Sequence, residues 1–185
     1  MSLSYFFIYS TCKNCPSGQY TNQNARTGCK SCSTGYYQNQ IKQPSCKQCP
    51  GGQYSNQNAR TACKLCYRGF YQNQKQKNVC KACVKGQYQS EDGQAACKPC
   101  QTGRNAVDIA TANCAICVKA KASTSSTTSC SNCASGKYQE KNAATYYGCK
   151  TCSTGVYVTS SGCTNCPLGQ YQENGKKNNT SSLFN

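Results

Sequence analysis

The cysteines are the residues in this chain whose type and spacing could do chemistry. All twenty stand in C-x-x-C pairs, beginning at Cys12, Cys29, Cys46, Cys63, Cys80, Cys97, Cys114, Cys130, Cys149 and Cys163. Thiols at this spacing support three kinds of chemistry. Four thiolates can hold a zinc ion. A pair at a helix N-terminus, where one thiol's pKa is depressed, can exchange electrons. In an oxidising compartment they form structural disulfides.

Redox chemistry is the weakest of the three, because no helical pattern opens behind any pair. Zinc is a real rival. The spacing C-x2-C-x13-C-x2-C resembles the first zinc module of nuclear receptors, and twenty thiolates would make five sites. A zinc-binding array contacting nucleic acid would suit the net charge of +16. However, no unit is followed by a helix that could enter a groove, and the spacing within each would-be zinc module equals the spacing between modules. Disulfides are therefore the favoured reading, zinc the alternative. Other catalytic options are thin. His is absent, and Glu91, Asp92, Asp108, Glu140 and Glu173 are scattered over different units. None makes a pair suited to acid–base work or a cluster suited to calcium. The chain is expected to be no enzyme and to carry no cofactor.

Composition says what must position these thiols. Four Leu, four Ile, six Val, one Met and no Trp cannot fill a core for 185 residues, and Asn and Gln together number 35. Without crosslinks such a chain would stay disordered. The order comes from a repeat. Successive pairs are 17 residues apart for six steps, then 16, 19 and 14. Three residues after the second Cys stands Gly18, Gly35, Gly52, Gly69, Gly86, Gly103, Gly136, Gly155 or Gly169. Two residues later stands Tyr20, Tyr37, Tyr54, Tyr71, Tyr88, Tyr138, Tyr157 or Tyr171. Gly permits a positive φ and Tyr suits a strand, so each unit reads as a short irregular hairpin. The Tyr ring is expected to form a miniature apolar centre against a disulfide. A 34-residue period lies over the short one: residues 16–32 match 50–66 at 13 of 17 positions but 33–49 at seven.

The expected fold is a small disulfide-rich, irregular all-β array, elongated, with contacts nearly all between neighbouring hairpins. Residues 1–11 form a non-repeat stub and 12–117 the regular units. Residues 118–129 form a Ser/Thr-rich degenerate joint, where Ala120 and Ala122 replace Gly and Tyr. Residues 130–171 are irregularly spaced, and 172–185 are a frayed tail with sequons at Asn178 and Asn179. Leu3–Tyr9 is too short, and lacks the preceding basic residue, to read as a secretory signal, so the chain is expected to be a segment of a longer protein.

The phrases CKNCPSGQYTNQNARTGCKSC and CTNCPLGQY resemble the ephrin-receptor-like repeats of the growth-factor-receptor cysteine-rich superfamily, and furin-like and tumour-necrosis-factor-receptor modules. Similar Asn- and Gln-rich arrays occur in ciliate surface proteins. The resemblance covers residues 12–171 and implies an extracellular disulfide-bonded rod without catalytic residues.

Four cysteines allow three pairings. The 34-residue duplication and the furin-like precedent favour interlaced bridges: Cys12–Cys29, Cys15–Cys32, Cys46–Cys63, Cys49–Cys66, Cys80–Cys97, Cys83–Cys100, Cys114–Cys130, Cys117–Cys133, Cys149–Cys163 and Cys152–Cys166. A ladder, Cys15–Cys29 then Cys32–Cys46 and onward, is the rival.

The function expected is that of a structural or adhesive segment at the cell surface, secreted or tethered to a membrane by sequence elsewhere. The alternative is a ligand-binding receptor ectodomain fragment. The partner is an unknown protein or glycan, with no nucleic acid expected. Lys13, Lys30, Lys47, Lys64, Lys81, Lys98 and Lys150 of the C-K-x-C pairs form a ladder open to a polyanion, although solvated charge that keeps the rod soluble is the favoured reading. Strong reductant should unfold the whole chain and a chelator should leave it unchanged. Zinc would reverse both outcomes, and circular dichroism after each treatment distinguishes them.

Overall fold

The computed structural model describes residues 11–134, 136–142, 148–159 and 162–172. The stub at 1–10, the tail at 173–185, both sequons and Glu173 lie outside them. Among the described residues there is no helix, and the strands form nine separate two-stranded antiparallel sheets. Gln19–Tyr20 pairs with Lys30–Ser31, Tyr36–Tyr37 with Lys47–Gln48, and Gln53–Tyr54 with Lys64–Leu65. The series continues to Val156–Thr159 with Gly162–Asn165. This is the tandem hairpin array that the repeat predicts.

The disulfides correct the expected pairing. The bridges are Cys15–Cys29, Cys32–Cys46, Cys49–Cys63, Cys66–Cys80, Cys83–Cys97, Cys100–Cys114, Cys117–Cys130, Cys133–Cys149 and Cys152–Cys163. Cys12 and Cys166 carry no bridge. None of the interlaced pairs forms: Cys12–Cys29, Cys15–Cys32, Cys46–Cys63, Cys49–Cys66, Cys80–Cys97, Cys83–Cys100, Cys114–Cys130, Cys117–Cys133, Cys149–Cys163 and Cys152–Cys166 are all replaced. The reason lies in chain direction. Interlacing would lay one C-x-x-C segment parallel to the next, with both cysteines in step. The antiparallel hairpin instead sets Cys32 opposite Gly18, whose carbonyl accepts the Cys32 N–H at 2.9 Å. Cys29 is thereby left to face Cys15, with Cα atoms 5.6 Å apart. Each C-x-x-C therefore straddles two units: its first cysteine closes one hairpin and its second opens the next. The covalent module is 17 residues, not 34.

The core is a row of sulfurs. Cys15, Cys32, Cys49, Cys66, Cys83, Cys100, Cys117 and Cys152, each the second of its pair, are buried, and the only other buried apolar residues among those described are Ala106 and Ala122. The repeat Tyr residues Tyr20, Tyr37, Tyr54, Tyr71, Tyr88, Tyr138 and Tyr157 stay half-buried, and Tyr171 is exposed.

Three backbone hydrogen bonds tie each unit to the next. Gly35 N–H donates to the Ser55 carbonyl at 2.8 Å, Gln38 N–H to that of Arg60 at 3.0 Å, and Ala59 N–H to that of Cys32 at 2.8 Å. The 17-residue spacing repeats each of them along the regular units. The third bond comes from a loop residue in the left-handed region, Lys42, Ala59, Gln76, Gly93 or Ala110; with Ala25, which shares the conformation, these stand at every seventeenth residue and have φ between 54° and 73°. The same residue reaches one unit further back. A Cβ on Gly18, Gly52 or Gly69 would overlap the carbonyl oxygen of Ala59, Gly93 or Ala110, and one on Gly35 would stand 2.5 Å from that of Gln76. Contacts thus run to the next unit but one, beyond the neighbour-only expectation.

The degenerate unit keeps its hairpin: Lys121–Ala122 pairs with Ser131–Asn132, and Cys117–Cys130 closes it. Ala120 takes φ 62° in the glycine's place. It is exposed, whereas Gly18, Gly35, Gly52, Gly69, Gly86 and Gly103 are buried. Its Ser126 and Thr127 pack over Gly86.

Gly52→Ala should cost several kcal/mol, because the methyl group meets backbone that cannot yield. Gly155→Ala, with φ 78° but nothing within 4 Å of the new Cβ, should cost only about 1–2 kcal/mol. Denaturant titration of both variants, disulfides intact, checks the difference.

Candidate interaction face

Hairpin register decides which side chains meet. With Gly at the turn and Lys inside the next C-K-x-C, the Tyr falls directly across from the Lys. The pairs are Tyr20↔Lys30, Tyr37↔Lys47, Tyr54↔Lys64, Tyr71↔Lys81, Tyr88↔Lys98 and Tyr138↔Lys150. The Lys81 ammonium stands 5.9 Å from the Tyr71 ring centroid, within cation–π range. The Tyr and Lys ladders are therefore one feature, repeated on the hairpins. It lapses where Asn105 faces Ala115, Ala122 faces Ser131 and Tyr157 faces Thr164.

Beneath this face lies a set of side chains that the amide-rich composition does not single out. The residue after the Tyr is Gln38, Gln72, Gln89 or Gln139, and each is buried. Gln72 Nε2 donates to the Val79 carbonyl at 2.7 Å, and its Oε1 accepts from Gln74 N–H at 3.1 Å. Gln38 does the same with Ser45 and Gln40, Gln89 with Ala96 and Glu91, and Gln139 with Gly148 and Lys141. One amide spans the loop it starts, satisfying a carbonyl on the returning strand and an N–H of the turn. The loop has no apolar core, so this brace holds its shape. The signal was present as Gln at a fixed offset from Tyr, but an amide-rich composition hid it. Ser55 stands at the same place and reaches only the Gln57 carbonyl, at 3.1 Å. Where the Tyr itself is lost, Asn105 turns inward and its Nδ2 donates to the Thr128 carbonyl of the next unit.

The Lys heads are held by the loops in two ways. Lys47 Nζ donates to Asn39 Oδ1 at 2.9 Å, and Lys81 Nζ to Asn73 Oδ1 at 3.2 Å. In the fifth and eighth hairpins an acid intervenes: Lys98 lies 3.9 Å from Glu91, and Lys150 lies 3.0 Å from Glu140. The hydrogen bond from Lys150, with its charge, holds the Glu140 carboxyl below its ordinary value. That bridge is intact above the usual carboxylate range and is lost as pH falls through the lowered value. The remaining relief is shallow. Tyr54, Asn56, Tyr67, Phe70, Asn78 and Val79 line an open apolar hollow between the third and fourth hairpins.

Residues 23–59 match the family model described as tyrosine-protein kinase ephrin type A/B receptor-like. No curated protein matches the chain. The matched span covers parts of three hairpins, and the disulfide array runs on with the same C-x-x-C spacing on both sides of it. Over residues 23–59 the repeat is thus similar to the cysteine-rich, ephrin-receptor-like kind.

Gln72→Ala should destabilise the protein by about 1–3 kcal/mol, because the Val79 carbonyl and the Gln74 N–H lose their buried partner. Amide exchange should quicken in residues 71–82 and remain unchanged in the first two hairpins.

Proposed function

We propose that the chain is an extracellular, non-enzymatic structural and adhesive module of a cell-surface or secreted protein. The observation that carries this reading is the unbroken ladder of nine disulfides. Such bridges persist in oxidising compartments and are reduced in the cytosol. They also take up eighteen of the twenty thiols that the zinc alternative needs. A covalently ordered repeat with an exposed cationic face suits spacing, covering or adhesion, tasks that need surface rather than a pocket. The match to an ephrin-receptor-like repeat favours a second reading, a ligand-binding receptor ectodomain, in which the apolar hollow beside Tyr67 and Phe70 would face the ligand.

An antibody raised against residues 15–100 should label intact, unpermeabilised cells or recover the protein from the medium. Labelling that appears only after permeabilisation, on protein whose thiols react freely with maleimide, would overturn the extracellular reading.

A further inference from the structure

We propose that the first four hairpins, residues 15–82, form a row of anion sites for a sulfated glycan; this rests on the extracellular reading above. Each of these hairpins carries the same three residues: Tyr20, Asn22 and Lys30; Tyr37, Asn39 and Lys47; Tyr54, Asn56 and Lys64; Tyr71, Asn73 and Lys81. Register sets the Lys across from the Tyr in all four. In the second and fourth the ammonium is held by the Asn Oδ1. An ammonium has no acceptor, so it takes the oxygen side of the amide, and the amide NH2 is not used in this bond. The pair then keeps the remaining ammonium donors and a full positive charge that a neutral Asn does not cancel. An oxyanion with several acceptor oxygens is the complement of such a surface.

The fifth and eighth hairpins serve as an internal contrast. There Glu91 and Glu140 meet Lys98 and Lys150, so the charge is neutralised and acceptors replace donors. The face is graded along the chain rather than uniformly basic. A single exposed charge contact is worth only about 0.2–1 kcal/mol. Repeated sites become useful for a polymer whose anions are themselves repeated, because each contact raises the effective concentration for the next. A single-stranded nucleic acid would need open ring faces for stacking, and Tyr20, Tyr37, Tyr54 and Tyr71 are half-buried with a Lys strand across from them. A polysaccharide asks for no such stacking.

The test uses the full chain and heparin as the sulfated probe, with affinity measured over a range of NaCl concentrations. K47Q/K81Q and K98Q/K150Q remove equal charge. The first should bind about 2- to 30-fold more weakly and lose about two from the log–log salt slope, whereas the second should stay within about twofold of the parent. N39D/N73D should copy the first, and K47R/K81R should retain binding and show that the face still folds. Equal losses in the two Lys→Gln pairs would reduce the effect to net charge and overturn the proposal. So would a single-stranded oligonucleotide that competes as well as heparin, or a parent chain that heparin does not retain at physiological salt. Any of these would leave the extracellular module standing, because surface labelling of intact cells is read independently.

Discussion

Everything in this array depends on which cysteine bonds to which. A bridge from the second cysteine of one pair to the first of the next closes a loop of about 15 residues and restricts the unfolded chain by roughly 3 kcal/mol. It also fixes direction. Once Cys15 holds Cys29, the strand that follows must run antiparallel to the strand before it, and the next cysteine is already placed to open a new unit. Hairpin register, the Tyr–Lys pairing, and the burial of the second sulfur in each pair all descend from that choice. Because the bridges supply the cohesion, the loops are free to be polar, and they are shaped by amide braces such as Gln72 rather than by apolar packing.

A chain held this way can do without aliphatic side chains, but not without small ones at particular places. Gly18, Gly35, Gly52 and Gly69 have two duties. Each has φ near 80°, and each lies under a carbonyl from a loop two units further on. The second duty is the stricter: Ala120 meets the first alone, without glycine, where its surroundings are open. The loop residue that supplies the carbonyl is itself left-handed, yet it is Ala, Lys or Gln in five of six regular units. Only Gly93 takes that conformation without the steric cost of a Cβ.

Much of this was legible in sequence. The 17-residue spacing, the Gly at its fixed offset and the thin aliphatic inventory gave hairpins, disulfides and the absence of a conventional core. Pairing was not legible, because C-x-x-C segments at one spacing accommodate interlaced and ladder schemes equally. The 34-residue duplication pointed to the wrong one: each bridge closes within a single 17-residue unit. The Lys and Tyr ladders could each be read off, but their union could not. It needs the register that sets Tyr71 against Lys81. Gln38 and its equivalents were not singled out, because composition describes a residue type, whereas burial depends on where that type recurs.

The ladder also decides how the protein responds to being pulled. Tension entering at Cys32 can cross the bridge to Cys46, a Cα–Cα distance of 5.8 Å, then follow the chain three residues to Cys49 and cross again. The hairpin loop lies outside this route. A 17-residue unit freed of its bridge could extend to about 56–61 Å, but along the bridged route it reaches only about 16 Å. The molecule therefore behaves as a tether of nearly fixed length, whose loops can vary in sequence and bear ligands without bearing force. Its compliance would change in discrete steps of about 40–45 Å, one for each disulfide reduced.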